Sequence, residues 1–90
     1  MAAYVDNAGI VYRSKLRYHL CADSLVELHA FADKINVKRC WFHRAKDHPH
    51  YDVTEVQREL ALAYGAVAIS SKALLKVAKS LVSKKESKHA

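Results

Sequence analysis

The sequence predicts a small α/β domain in three layers, with a mainly parallel sheet of three or four strands, an N-terminal strand or hairpin and three helices. The first observation is that short apolar, β-branched runs alternate with longer stretches whose apolar residues recur at helical spacing. The second is that the 90 residues include only two glycines and one proline, so most of the chain should be regular structure. Strands separated by helices are usually joined by right-handed crossovers, which favours a parallel sheet.

Strand-like runs dominate the first part of the chain. Residues 2–5, 10–12 and 18–21 are apolar and rich in tyrosine, valine or isoleucine, and the turn at residues 6–9 suggests a hairpin between the first two. A helix is predicted over residues 24–35, because Ser24 followed by Glu27 has the spacing of a capping box.

In the second half we expect two further strands and two further helices. Residues 39–43 are typical of a buried strand, and a helix should begin at Asp52, which has Glu55 three residues later, and end before Gly65. Residues 66–69 are expected to form a core strand. Ser70 and Ser71 then cap a last helix that ends near residue 82, followed by a frayed polar tail at residues 83–90, so that residues 1–82 form one domain.

The positive charge is concentrated at the end of the chain. The net charge is +6, yet the first 71 residues hold nine Lys or Arg against eight Asp or Glu. Lys72, Lys76 and Lys79 fall on one helical face, which is compatible with nucleic-acid binding, although a plain solvated face is the commoner explanation.

Cysteine usage and hydropathy favour a cytoplasmic protein. Cys21 and Cys40 form no Cys-x-x-Cys pair, so a thiolate zinc site is not expected, and both thiols should be reduced and buried. The start of the chain lacks the features of a signal peptide, and no stretch approaches the roughly 20 apolar residues of a membrane span.

The expected topology places the unusual polar residues at one edge of the sheet. In open parallel sheets, ligands bind beyond the carboxyl ends of the strands. Asp6, the loop from His43 to Asp52, and Ser70 each follow a predicted strand. We therefore expect a binding site at this edge.

The loop before Asp52 is the most distinctive stretch. His48 and His50 flank Pro49, and with Asp52 they offer the nitrogen and oxygen ligands that zinc, manganese or iron accept. His-x-His is a weak signal without a third ligand at known distance, and Asp52 could be only a helix cap. His19 and Asp23 have the composition of a general base and its orienting acid, although their spacing does not establish contact.

Several motifs resemble one family. His19-Leu20-Cys21-Ala22-Asp23, Glu27-Leu28-His29-Ala30-Phe31-Ala32 and His50-Tyr51-Asp52, with Trp41-Phe42, Arg58 and Gly65-Ala66, are similar to the bacterial and phage domain of unknown function 4031. The resemblance covers roughly residues 19–69 and implies a compact, often phage-borne domain without an assigned activity. It gives more weight to His19, Asp23, His29, His50, Tyr51, Asp52 and Arg58 than to His43, His48 and His89.

Three functions are compatible with these residues. The one we favour is a small phage or bacterial accessory protein that binds a nucleotide, a nucleic acid or a host protein, with the homo-oligomeric state left open. The expected ligand-binding residues are Asp6, His19, Asp23, His50, Tyr51, Asp52, Arg58 and Ser70.

The first alternative is a metal-dependent phosphodiester or nucleotide hydrolase. Its catalytic candidates are His19, Asp23, His50 and Asp52, and its metal candidates are His48, His50 and Asp52. The second alternative is nucleic-acid binding through the lysines of the last helix, with Tyr12 and Tyr18 for base stacking.

Overall fold

The computed structural model describes residues 2–44 and 48–87. Within them the elements are β1 (Ala3–Val5), β2 (Ile10–Tyr12), β3 (Lys15–Ala22), α1 (Leu25–Lys34), a 3-10 turn (Arg39–Trp41), β4 (Phe42–His43), β5 (His50–Thr54), α2 (Glu55–Ala63), β6 (Val67–Ala68) and α3 (Ser71–Ser87). The α/β class and the number of helices are as expected, but α3 continues to Ser87, past its predicted end near residue 82.

The sheet is mixed and mostly antiparallel, so the expectation of a mainly parallel sheet of three or four strands was wrong. It has six strands in the order β4-β5-β3-β1-β6, with β2 also paired to β3. Among the described residues only β1 and β6 run parallel. The prediction failed because antiparallel strands lie between the parallel strands that α1 and α2 connect. Strand β5 separates β3 from β4, and β3 and β1 separate β5 from β6.

The hairpin lies one strand later than the sequence suggested. Strands β2 and β3 are antiparallel neighbours joined by Arg13 and Ser14, whose φ angles are 52° and 65°. Positive φ at both central residues matches the twist of a two-residue hairpin turn. Residues 15–17, which lie between the predicted strands at 10–12 and 18–21, are therefore part of the long strand β3, which pairs with β2, β1 and β5.

A strand replaces the predicted start of the second helix. Residues 50–54 alternate between partly exposed and buried, and Tyr51 and Val53 are the buried positions. Asp52 is therefore a strand residue and not a helix cap. The cap is Thr54, whose side chain accepts from the Gln57 amide while the Gln57 side chain accepts from the Thr54 amide.

Two other predicted strands are shorter and more exposed than expected. Residues 39–43 form a 3-10 turn followed by a two-residue strand, and Cys40 is exposed. The predicted core strand at 66–69 is the two-residue edge strand β6, which pairs only with β1 among the described residues and has both side chains exposed. Apolar composition alone did not distinguish these edge segments from central strands.

The register divides the sheet into two faces. Tyr51 and Leu20 are cross-strand partners, as are Val53 and Tyr18, and their side chains lie on the face covered by α1 and α2. His19 and Asp52 are partners on the opposite face, beside α3. The sheet is thus the middle of three layers, as expected. Across residues 2–44 and 48–87, no helix combines the length and apolar character that a membrane crossing requires.

Replacing Thr54 with alanine should lower the free energy of unfolding by about 1 kcal/mol, because it removes one half of a capping box. Urea denaturation measures the difference. Thr54→Ser keeps the hydroxyl, so its free energy of unfolding should fall much less. An equal loss in both variants would show that the cap is not the cause.

Candidate metal centre

Four polar side chains meet on the face of the sheet beside α3 because of the strand register. His50 and Asp52 are two residues apart on β5, so they lie on the same face. His19 of β3 is the cross-strand partner of Asp52, and His43 of β4 is the partner of His50. We refer to His19, His43, His50 and Asp52 as the His/Asp cluster.

Asp52 lies at the centre of this cluster. Its Oδ1 is 3.4 Å from His50 Nε2 and 4.0 Å from His19 Nε2, and its Oδ2 is 2.9 Å from His43 Nε2. Burial raises the pKa of Asp52, but the hydrogen bond that a protonated His50 donates and the positive charge of nearby protonated imidazoles outweigh burial, and the net pKa is lowered. Asp52 is therefore an anion at neutral pH and is available to bind a cation.

His19 is held by a buried aspartate that follows β1. Asp6 is fully buried, and its Oδ2 accepts a hydrogen bond of 2.6 Å from His19 Nδ1 while its Oδ1 accepts one of 2.9 Å from the His19 amide. Burial raises the pKa of Asp6, but the hydrogen bonds with the His19 side chain and backbone lower it further than burial raises it. The same side-chain hydrogen bond raises the pKa of His19, against the effect of burial.

His50 is oriented in a similar way by the backbone. Its Nδ1 lies 2.8 Å from the carbonyl oxygen of His48, which only accepts, so Nδ1 carries a proton. The ring also stacks with those of His43 and His48, at centroid distances of 5.3 and 5.7 Å. Both features fix the direction of His50 Nε2 toward Asp52.

These hydrogen bonds give the cluster an unusual electrostatic property. In a neutral His19 or His50 the proton is on Nδ1, so Nε2 presents a lone pair. Two such lone pairs and a carboxylate oxygen then point at one another without a hydrogen between them. A bound proton or a metal cation removes this repulsion.

The three groups have the composition of a metal site. One ligand atom each from His19, His50 and Asp52 lies within 4.8 Å of the other two. In a tetrahedral zinc site, bonds of about 2.0–2.2 Å place ligand atoms about 3.3 Å apart. Small side-chain movements toward a central ion would meet this requirement. A histidine whose other nitrogen donates to a carboxylate or carbonyl is the usual form of a metal ligand.

An open cleft adjoins the cluster. It has a volume of about 410 Å³ and is bounded by His19, His48, His50 and by Ser71, Lys72, Leu74, Leu75 and Ala78 of α3. We call it the α3 cleft. The charged or titratable side chains among these residues are basic, so the cleft suits an anionic ligand next to a metal.

Two predicted partners are arranged differently from the sequence-based proposal. His19 pairs with Asp6, whereas Asp23 accepts a hydrogen bond of 2.9 Å from the Tyr4 hydroxyl. His48 was predicted as a metal ligand, but it contributes only its carbonyl and a stacked ring to the site. The third member of the group of potential ligands is His19.

Three other expected residues support the structure around the cluster. Tyr51 is fully buried on the opposite face of the sheet, where its hydroxyl is 2.7 Å from His29 Nδ1. Arg58 donates from Nε to the Asp6 carbonyl at 2.7 Å, which fixes the segment that holds His19. Ser70 caps α3 by accepting from the Ala73 amide.

Sequence reasoning missed the pairing of Asp6 with His19 and underestimated His43. A signal for the cluster was present, since His50-Tyr51-Asp52-Val53 alternates polar and apolar residues with the period of a strand. The Asp6 contact had no such signal, because it depends on β1 lying beside β3. His89 and Asp47 lie outside the described residues.

The fold and the cluster together define a small α/β domain with a candidate centre of two histidines and one carboxylate. The chain belongs to the family described as a protein of unknown function, DUF4031, whose model matches residues 3–81. The match includes Asp6, His19, His43, His50 and Asp52. No curated protein and no solved structure matches the chain.

The pair of Asp6 and His19 should give the metal-free protein a specific pH dependence. The pKa of His19 is raised from 6.5, so its contribution to stability is complete below pH 6.5 and is lost as the pH rises through the raised value. The pKa of Asp6 is lowered from 3.8, so its contribution is complete above pH 3.8 and is lost as the pH falls through the lowered value.

We therefore expect the difference in unfolding free energy between wild type and Asp6→Asn to be largest between pH 3.8 and 6.5 and to shrink at higher pH. Urea titrations with a chelator present measure it. His29→Gln, on the other face of the sheet, is the control. A difference that stays constant from pH 5 to 9 would contradict the ion pair.

Proposed function

We propose that this protein binds a divalent transition-metal ion through His19, His50 and Asp52 and uses it to hydrolyse a phosphate ester. The observation that carries the proposal is the convergence of three ligand atoms within 4.8 Å on one sheet face. Two nitrogens and one carboxylate oxygen suit zinc, manganese or iron.

The hydrogen-bond partners of the three ligands support metal binding more strongly than the residue types of the ligands alone. Asp6 and the His48 carbonyl hold the two imidazoles with Nε2 directed at Asp52. His43 holds the second oxygen of Asp52 at 2.9 Å. A site oriented in this way loses little side-chain freedom when the ion binds, and partners of this kind are worth about 10- to 100-fold in metal affinity or activity.

Three protein ligands leave coordination positions for water and substrate. A metal ion lowers the pKa of its bound water and neutralises charge on a phosphoryl oxygen. Lys72 bounds the same cleft and would attract the phosphate group. His43 is half exposed beside Asp52, where it can exchange protons with solvent during the reaction.

A second candidate is binding of an anionic ligand without turnover. This candidate is favoured by the α3 cleft, which is open to solvent and whose charged or titratable side chains are basic. A nucleotide or a phosphorylated host component would satisfy this chemistry. The two candidates share the metal and differ in whether product forms.

Chelator-stripped wild-type protein should bind one Zn²⁺ or Mn²⁺ per chain, measured by isothermal titration calorimetry. His50→Gln and Asp52→Asn should each weaken binding at least about 100-fold, because the first removes an imidazole ligand and the second removes the negative charge of the carboxylate ligand. His29→Gln is a matched control, since it changes a histidine on the opposite face. Wild-type protein that binds neither ion, or a control that loses as much affinity as His50→Gln, would disprove the site.

The metal-loaded protein should hydrolyse bis(p-nitrophenyl) phosphate, followed by absorbance of released nitrophenolate. Excess chelator and Asp52→Asn should each abolish the activity, while His29→Gln should retain it. Stoichiometric metal binding without any turnover on diester or monoester substrates would favour the second candidate.

A further inference from the structure

The outer surface of α3 carries a row of lysines that leads to the α3 cleft. Lys72, Lys76 and Lys79 are spaced by four and three residues, so they share one side of the helix. All three are exposed. Lys72 also bounds the α3 cleft, so the row meets the cleft that contains His19 and His50.

No acidic side chain among the described residues neutralises these lysines. Within the part of the chain that the structure describes, none of the three forms an ion pair. The sequence has no Asp or Glu between Glu59 and Glu86, so α3 offers no acidic neighbour through its first three turns. A solvated helix face usually mixes both signs of charge. The face from Lys72 to Lys79 carries one sign of charge and therefore attracts anions.

We propose that α3 binds single-stranded nucleic acid and that the lysine row directs the strand into the α3 cleft. The proposal deepens the proposed function by naming its substrate class, and it rests on that function only for the cleavage step. Lys72 and Lys79 are about 10 Å apart along the helix axis. Three lysines over that length can each contact a phosphate of a strand that runs along the helix.

A single strand fits this surface better than a duplex. Leu74 and Leu75 bound the cleft next to Lys72, and Leu75 keeps 38% of its surface exposed. A single strand exposes base faces that can pack on such an apolar wall, whereas a duplex buries them in its stack. The cleft adjoins the His/Asp cluster, so a phosphodiester that follows the lysine row arrives beside the metal ligands.

An anionic membrane surface fits less well. A helix that lies in a membrane interface needs an apolar face to insert. The apolar face of α3 is occupied by the protein core, since Leu74, Ala78 and Leu81 are buried. On the exposed side of the helix, the lysines flank Leu75, which lies in the cleft and is too small an apolar surface for membrane insertion.

The test measures fluorescence anisotropy of a labelled 12-nucleotide DNA strand with two charge-reversal variants. The first variant changes Lys72, Lys76 and Lys79 to Glu, and the matched control changes Lys15, Lys34 and Lys38 to Glu. The control lysines lie on β3, α1 and the segment before the 3-10 turn, away from the cleft. Both variants have the same change in net charge.

We expect the first variant to bind the strand more than tenfold more weakly than wild type, and the control to stay within about threefold. The slope of log affinity against log salt should fall by about 2 in the first variant, from about 0.7 for each of three lost phosphate contacts. Equal losses in both variants would reduce the effect to net charge and overturn the proposal. Equal affinity for a mononucleotide, for duplex DNA or for anionic lipid vesicles would overturn it as well.

Two further measurements separate this proposal from the metal site. Strand binding is repeated with chelator present, and Zn²⁺ binding to the first variant is measured by calorimetry. The lysine row should bind DNA in chelator, and the variant should still bind one Zn²⁺ per chain, because none of the three lysines is among the proposed ligands. Loss of DNA binding in a variant that still binds Zn²⁺ supports the lysine row. If wild-type protein binds DNA but no metal, the result would support DNA binding by the lysine row and disprove the metal site.

Discussion

The register of β5 between β3 and β4 is the constraint on which the candidate centre depends. It places His19 opposite Asp52 and His43 opposite His50, with all four side chains on the face beside α3. A shift of one residue would turn His50 and Asp52 to the other face and bring Tyr51 and Val53 out of the core. Because Tyr51 and Val53 are fully buried, hydrophobic packing on one face fixes the position of the polar residues on the other.

Asp6 contributes the second essential interaction. A fully buried carboxylate is costly unless it is paired and hydrogen bonded. Asp6 meets this condition through the side chain and the amide of His19. Arg58 adds a hydrogen bond to the Asp6 carbonyl, so α2 also fixes the position of this residue. The result is an imidazole that is firmly oriented on a strand, with one nitrogen committed and the other facing Asp52 and the open cleft. An ion pair with a purely structural role would not require the second imidazole nitrogen to face Asp52 and the cleft.

The sequence predicted local features better than the arrangement of strands. The Ser24 cap, the extent of α1 and the serine cap of α3 were predictable because each depends on residues close in the chain, although Glu27 accepts from the Ser24 hydroxyl and the Ala2 amide and so does not complete the expected capping box. The strand order was not, since the pairing of β1 with β3 and β6 depends on contacts between distant residues. Asp6, His19, His50 and Asp52 were identified as candidates, but for an incorrect reason. They meet through antiparallel register on a sheet face, and not through the carboxyl ends of parallel strands. The roles proposed for these residues require a particular protonation state of His19 and His50.

The most direct test is the tautomeric state of the histidines, read from long-range ¹H–¹⁵N correlation spectra of metal-free protein above pH 8. The account predicts that His19 and His50 carry their proton on Nδ1, because Asp6 and the His48 carbonyl accept it. Adding one equivalent of Zn²⁺ should then shift Nε2 of both rings and leave His29 unchanged. Protons on Nε2 of His19 and His50, or Zn²⁺ that perturbs neither ring, would contradict the metal centre.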